Sequence, residues 1–230
     1  MSYRKPILLL YDIDGTLVKL DKTGRLVYQK ALCEVLNKDI TLDHIDWIGT
    51  TDIEVIYKIL KDNYIDDKEI SIKMSEVFKR ISTLFKNIIE ETPEKILTLP
   101  NAYEVVEYTY KNYYNCLLTG NIKEVAYMKL KPSKIDTFFH VGAFGDEEKE
   151  REKLVPIAIK RAQKYYKTKF NNFFIIGDSH RDIIAAKKNK IKSIVVTTGK
   201  MSREELEKFE PDFIIDNLKD IITILDRFIS

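Results

Sequence analysis

The chain has 230 residues, enough for one large domain or a domain carrying a subdomain, and its 44% hydrophobic content can supply a sizeable core. Its 38 basic and 36 acidic residues nearly cancel to a net charge of +2, with no dominant basic stretch to suggest a nucleic-acid partner. No run approaches the roughly 20 apolar residues that cross a bilayer, and the apolar run after the N-terminus is short and ends in charge, so neither a membrane span nor a signal peptide is expected.

Cys33 and Cys116 are far apart and form no CxxC pair, which suggests reduced thiols in a cytoplasmic protein. His44, His140 and His180 are scattered and offer no metal-ligand spacing. Arg25, Lys58 and the Lys187-Lys188-Asn189-Lys190 run read as solvated surface.

In chain order, residues 6–11 read as a buried strand. It ends in Asp12 and Asp14, spaced i, i+2, before a Gly15-Thr16 turn. Alternation along an extended chain would let the two carboxylates share a face. Neighbouring acids repel, so the pair calls for a cation, a shared proton or solvent, and a hard divalent ion with oxygen ligands is the natural candidate. Residues 24–37, 52–62 and 66–91 carry apolar positions at helical spacing. Thr23 is placed to cap the first helix, and Thr92-Pro93 to end the third. Residues 19–97 therefore read as helices without a strand.

From residue 100 the pattern changes. Helices at 102–111, 122–130, 153–166, 181–190 and 218–228 alternate with strands at 115–118, 138–143, 173–176, 193–196 and 213–215. Such alternation predicts an α/β fold, a doubly wound parallel sheet covered on both faces. The helical block reads as an insertion, with residues 1–18 and 98–230 forming the core domain and 19–97 a helical cap domain. Ligands of open α/β sheets bind beyond the carboxyl ends of the strands. There the sequence places Asp12 and Asp14, then Thr119-Gly120-Asn121 at a helix start suited to an anion, and then Gly177-Asp178-Ser179 with Asp182 one helical turn on.

Asp12-Ile13-Asp14-Gly15-Thr16 resembles motif I (D-x-D-G-T) of the haloacid dehalogenase (HAD) superfamily, and the remaining motifs follow in order. Thr119-Gly120 matches motif II. Lys153 fits the spacing of the motif III lysine before Pro156 and an apolar helix, although the usual Lys-Pro dipeptide is absent and Arg151 is a rival cation. Gly177-Asp178-Ser179 and Asp182 match motif IV, in which the position of His180 has no fixed role; it reads as a surface residue or local hydrogen bonder. The resemblance covers nearly the whole chain and implies a HAD-like Rossmannoid core with a C1-type helical cap.

It also implies a phosphatase that uses Mg²⁺. Asp12 would be the nucleophile and Asp14 the general acid/base. Asp12, the Asp14 backbone carbonyl and Asp178 would hold the metal, with Asp182 supporting them from behind. Thr119, Gly120 and Lys153 would hold the phosphoryl group. An acid at position 14 separates the chain from similar dehalogenases, whose halide leaving group needs no proton. The segment Trp47-Ile48-Gly49-Thr50-Thr51-Asp52 resembles the substrate-facing loop of phosphoglycolate phosphatase-like members. The expected substrate is a small phosphate monoester, and the expected state a monomer or homodimer with no nucleic-acid or membrane partner. A phosphomutase of the β-phosphoglucomutase type would use the same motifs. A non-catalytic HAD-like module is the remaining alternative, and the retention of Asp12, Asp14 and Asp178 together argues against it.

Overall fold

The computed structural model describes residues 4–228. Strand β1 (Ile7–Tyr11) leads through a turn to the short β2 (Val18–Leu20), and helices α1 (Thr23–Leu36), α2 (Asp52–Asp62) and α3 (Asp67–Glu91) follow. Strand β3 (Ile96–Thr98) then pairs antiparallel with β2. The rest alternates: α4 (Ala102–Asn112), β4 (Tyr114–Leu118), α5 (Lys123–Leu130), β5 (Gly142–Ala143), α6 (Arg151–Tyr166), β6 (Asn172–Gly177), α7 (His180–Lys188), β7 (Lys192–Val196), α8 (Arg203–Glu207), β8 (Phe213–Ile215) and α9 (Asp220–Asp226).

Six strands form one sheet in the order β5-β4-β1-β6-β7-β8, with every neighbouring pair parallel. This is the doubly wound sheet expected from the sequence. Strand β1 is buried over all five residues, as its uninterrupted apolar run requires of a strand covered on both faces. Alternation sends Leu9 and Tyr11 to the face covered by α4 and α9, with Val105, Ile221 and Leu225. Leu8 and Leu10 face the layer of α6 and α7, with Leu154, Ala158 and Ala185. The chain leaves β1 for β4 and β5 on one side, then returns to β6, β7 and β8 on the other. The strand order therefore reverses at β1, and the crevice of such a sheet opens at the carboxyl end of that strand.

Helices α1–α3 pack around a separate apolar cluster built from Val27, Leu32, Ile56, Val77, Ile81 and Phe85. Val125 of α5 joins this cluster while Ala126 and Leu130 of the same helix join the sheet. Helix α5 is thus wedged between the two apolar bodies. Among the described residues no helix is long and apolar enough to cross a membrane.

Several sequence expectations are corrected. Residues 19–97 are not free of strand, because β2 and β3 form a small ribbon where the helical block departs and returns, continued by the bond from Leu99 N–H to the Leu17 carbonyl at 2.9 Å. Three-residue strands are too short to show a period of two. The strand expected over 138–143 shrinks to β5. A 3₁₀ turn at Ile135–Phe138 takes up the approach, and Phe139 packs edge-on against Tyr11 at 5.6 Å, so only Gly142 and Ala143 reach register with β4. Thr23 does not cap α1. It is already helical, and Asp21 accepts from its backbone N–H at 2.7 Å. Helix α6 begins two residues before Lys153, at Arg151. Helix α8, which no apolar stripe announces, is set by its Ser202 cap and by Glu205, whose carboxylate accepts from the Ser202 backbone N–H.

Candidate active site

Three adjacent strands, β4, β1 and β6, deliver Thr119, Asp12 and Asp178 to one edge of the sheet. Asp12 N–H donates to the Ile176 carbonyl at 2.8 Å, so β1 remains paired to β6 up to the first carboxylate. Gly15 then turns the chain with φ +81, and a Cβ there would collide with the Asp178 carboxylate. The D-x-D-G-T turn and the Asp178 loop are therefore in direct contact.

Carboxylate oxygens of Asp12, Asp178 and Asp182 lie within 4.8 Å of one another. Those of Asp182, fully buried, are already committed. Its Oδ1 receives Arg151 Nη2 at 2.6 Å, and its Oδ2 receives Ser179 Oγ at 2.6 Å and Ser179 N at 3.2 Å. Asp12 and Asp178 remain available for a cation. Burial raises the Asp178 carboxyl well above its usual range, and the Asp12 charge adds to this. Burial likewise pushes Asp12 up to about 6, against the opposing pull of Arg151. Two desolvated carboxylates held this close favour either protons or a hard cation between them, so the donor set fits Mg²⁺.

Arg151 is the cation at this centre. Its side chain is 2% exposed, and Nη2 lies 2.8 Å from Asp12 Oδ1 and 3.1 Å from the Leu118 carbonyl. Its Nε has no protein partner, which leaves a buried donor for an anion. The structure does not bring Lys153 here. That side chain is 56% exposed and pairs with Glu150 at 3.1 Å. Helical geometry separates the two: Arg151, Val155, Ala158 and Ala162 share the inward stripe of α6, whereas Lys153, Lys160 and Lys164 fall outward. Thr119 is fully buried, and its Oγ1 accepts from Asn121 N at 3.3 Å and Asn121 Nδ2 at 2.8 Å. Its own proton is left to donate.

Asp14 stands beside the carboxylate cluster with partners of its own. Lys129 Nζ lies 2.9 and 2.8 Å from its two oxygens, and Asn121 Nδ2 lies 2.7 Å from Oδ2. Lys129 was not anticipated as a site residue, and Asn121 only as part of the helix start at Thr119-Gly120-Asn121. One signal was present: Lys129 follows Val125 by one helical turn and so falls on the buried stripe of α5.

The loop before α2 closes over these groups. Asp52 N–H donates to the Gly120 carbonyl at 2.7 Å, and Ile53 N–H to the Gly145 carbonyl at 2.9 Å. Gly120 has to be glycine, because a Cβ there would strike the Thr50 carbonyl. Thr51 caps α2 and also donates to the Lys149 carbonyl at 2.7 Å, and Glu54 pairs with Arg181 at 2.9 Å. His180 is half-buried between Met201 and Phe209, a local packing role. Arg25 and Lys58 pair with Asp43 and Asp62 at the surface.

Buried Asp52 accepts from Tyr28 Oη at 2.8 Å and Ile122 N at 2.7 Å. Burial pushes its carboxyl up to about 7, with the two hydrogen bonds opposing. A carboxyl raised on folding binds more protons in the native state between the unfolded and folded values. Stability therefore falls as pH rises from about 4 to 7 and is level above that window. Asp52→Asn keeps an acceptor for both donors and removes the titration. In urea denaturation, wild-type stability relative to Asp52→Asn should drop by about 1–4 kcal/mol between pH 5 and pH 8. A constant difference across that range would disprove the assignment.

Fold and site together place a cluster of buried carboxylates at the carboxyl edge of a parallel α/β sheet. Residues 150–221 match the HAD-hydrolase-like family model. The chain is 26% identical to the pyrophosphatase PpaX of Bacillus mycoides over 224 residues, covering 95% of this chain and 96% of that protein. Its fold is similar to that of a hydrolase from Pseudomonas syringae, with a TM-score of 0.70 at 19% identity, covering 99% and 100% of the two chains. It is also similar to a structure from Haemophilus somnus described as a predicted phosphoglycolate phosphatase, with a TM-score of 0.65 at 18% identity and coverage of 98% and 100%. The chain is thus similar to HAD-like hydrolases in sequence over residues 150–221, and its fold is shared with these structures over nearly its whole length.

Proposed function

We propose that the chain is a Mg²⁺-dependent phosphatase that cleaves a small phosphorylated metabolite through an aspartyl-phosphate on Asp12. The observation that carries this reading is the convergence of Asp12, Asp178 and Thr119 from three adjacent strands, with Asp14 beside them and Arg151 beneath. The cap division at 19–97 belongs to the same proposal, supported by the separate apolar cluster of α1–α3.

In this mechanism Asp12 attacks phosphorus in line and the bond to the leaving oxygen breaks, while Asp14 gives that oxygen its proton. Asp14 then takes a proton from water as the water attacks the acyl phosphate, which returns Asp12 and releases phosphate. Arg151 orients the Asp12 carboxylate, and with Thr119 and the backbone at Gly120 it holds the phosphoryl oxygens. Mg²⁺, held by Asp12, Asp178 and the Asp14 backbone carbonyl, would neutralise charge on the transferring group. Of the two rival cations, buried Arg151 serves here and exposed Lys153 does not.

The names of the similar proteins support two substrate types, a phosphoglycolate-like monoester and pyrophosphate. The near balance of charge supports a free small molecule over a nucleic acid, and the two unpaired cysteines support a cytoplasmic location. A panel of phosphorylated metabolites assayed with and without Mg²⁺ tests the proposal. Phosphate release from a small ester or from pyrophosphate, abolished by chelation and restored by Mg²⁺, is the expected result. Turnover indifferent to chelation would overturn the metal assignment, and isomerisation of a sugar phosphate without phosphate release would make the enzyme a mutase.

A further inference from the structure

We propose that Lys129 is a positioning residue that fixes Asp14 on the leaving-group side of the cleft. The inference rests on the phosphatase reading and adds a residue that the four motifs do not contain. Lys129 is 6% exposed, and its ammonium group has three acceptors for its three protons: both oxygens of Asp14, and Asn121 Oδ1 at 2.6 Å. The side chain of Asp14 is itself 41% exposed. Left alone, so open a carboxylate would sample several rotamers. Here it accepts from Lys129 twice and from Asn121 once, and Asn121 is tied in turn to Thr119. One network therefore joins the hydroxyl proposed to hold phosphate to the carboxylate proposed to move protons.

Helix α5 explains how Lys129 keeps its place. Its Ala126 and Leu130 are packed into the sheet and its Val125 into the helical block. The Lys129 ammonium also lies 5.5 Å from the centroid of the Phe85 ring on α3. The clamp on Asp14 is thus braced from the helical block as well as from the sheet. A carboxylate that must give a proton to one oxygen and then take one from water at nearly the same point needs a fixed location. Lys129 provides it through Asp14 and Asn121, with no hydrogen bond to the carboxylates of Asp12 and Asp178.

The test measures kcat/KM, which reports the first transfer, for phosphate esters whose leaving groups run from nitrophenol to simple alcohols. Good leaving groups need little proton donation and poor ones need much. Lys129→Met should lose less than about 10-fold with nitrophenyl phosphate and about 100-fold or more with alkyl phosphates, within the usual range for general acid catalysis. Lys129→Arg should recover part of the loss with poor leaving groups. Binding of beryllofluoride with Mg²⁺, measured by calorimetry, should stay within about threefold of wild type, because Lys129 is outside the phosphoryl site. A loss equal across the series, or a collapse of beryllofluoride binding, would assign Lys129 a purely structural or phosphate-binding role and overturn the proposal. A wild-type protein that neither cleaves any ester nor binds beryllofluoride would instead fail the phosphatase reading itself.

Discussion

Asp12→Asn should lower turnover of an aryl phosphate by roughly 10⁴-fold or more, because the proposed mechanism forms its covalent intermediate on Asp12. The same variant should melt at the same temperature as the metal-free wild type or higher. Asn keeps an oxygen for Arg151 Nη2, and Arg151 keeps Asp182 and the Leu118 carbonyl. What disappears is a buried charge beside Asp178, the charge whose burial pushes the Asp12 carboxyl up to about 6. A carboxyl raised on folding costs stability as pH rises through that window, and the amide does not titrate. The stabilisation should therefore be larger at pH 8 than at pH 5. Activity in Asp12→Asn near that of wild type would exclude nucleophilic catalysis by Asp12. A sharply lower melting temperature would mean that Asp12 serves the fold more than the chemistry.

The site was legible to different degrees for physical reasons. Asp12 and Asp178 end uninterrupted apolar runs, and only a strand end in a parallel sheet puts an acid at a shared edge, so their convergence followed from the sequence. Spacing to Pro156 favoured Lys153 over its rival Arg151 as the cation of the site. The 3.6-residue period of α6 selects Arg151 instead, two positions earlier and about 160° around the helix. Lys129, and the tie of Asn121 to Asp14, escaped because those contacts span 115 and 107 residues of chain, which no local pattern encodes. The ribbon of β2 and β3 escaped for want of length. The docking of Thr50 and Asp52 on Gly120 was visible only as glycines in turns.

Arg151→Met should be the most destabilising single change at the site. It leaves Asp12 and Asp182 buried without their shared counter-ion, and breaking one partner of a buried pair typically costs about 3–5 kcal/mol. The cost should shrink at low pH, where protonation of Asp12 relieves the unpaired charge, so urea midpoints of variant and wild type should converge as pH falls from 8 to 5. Arg151→Lys keeps the charge but replaces the rigid guanidinium whose Nη2 meets two carboxylates and a carbonyl at once, so activity should fall while much of the stability remains. Lys153→Ala should change stability by less than about 0.5 kcal/mol, as is usual for an exposed charge, and leave turnover within about twofold of wild type. If Lys153→Ala abolished turnover while Arg151→Met kept it, the phosphoryl-holding cation would be the exposed lysine, and α6 would have to turn on its axis in the working enzyme. The inward stripe of Val155, Ala158 and Ala162 opposes that rotation, since turning the helix to bring Lys153 in would expose those residues and bury Lys160 and Lys164.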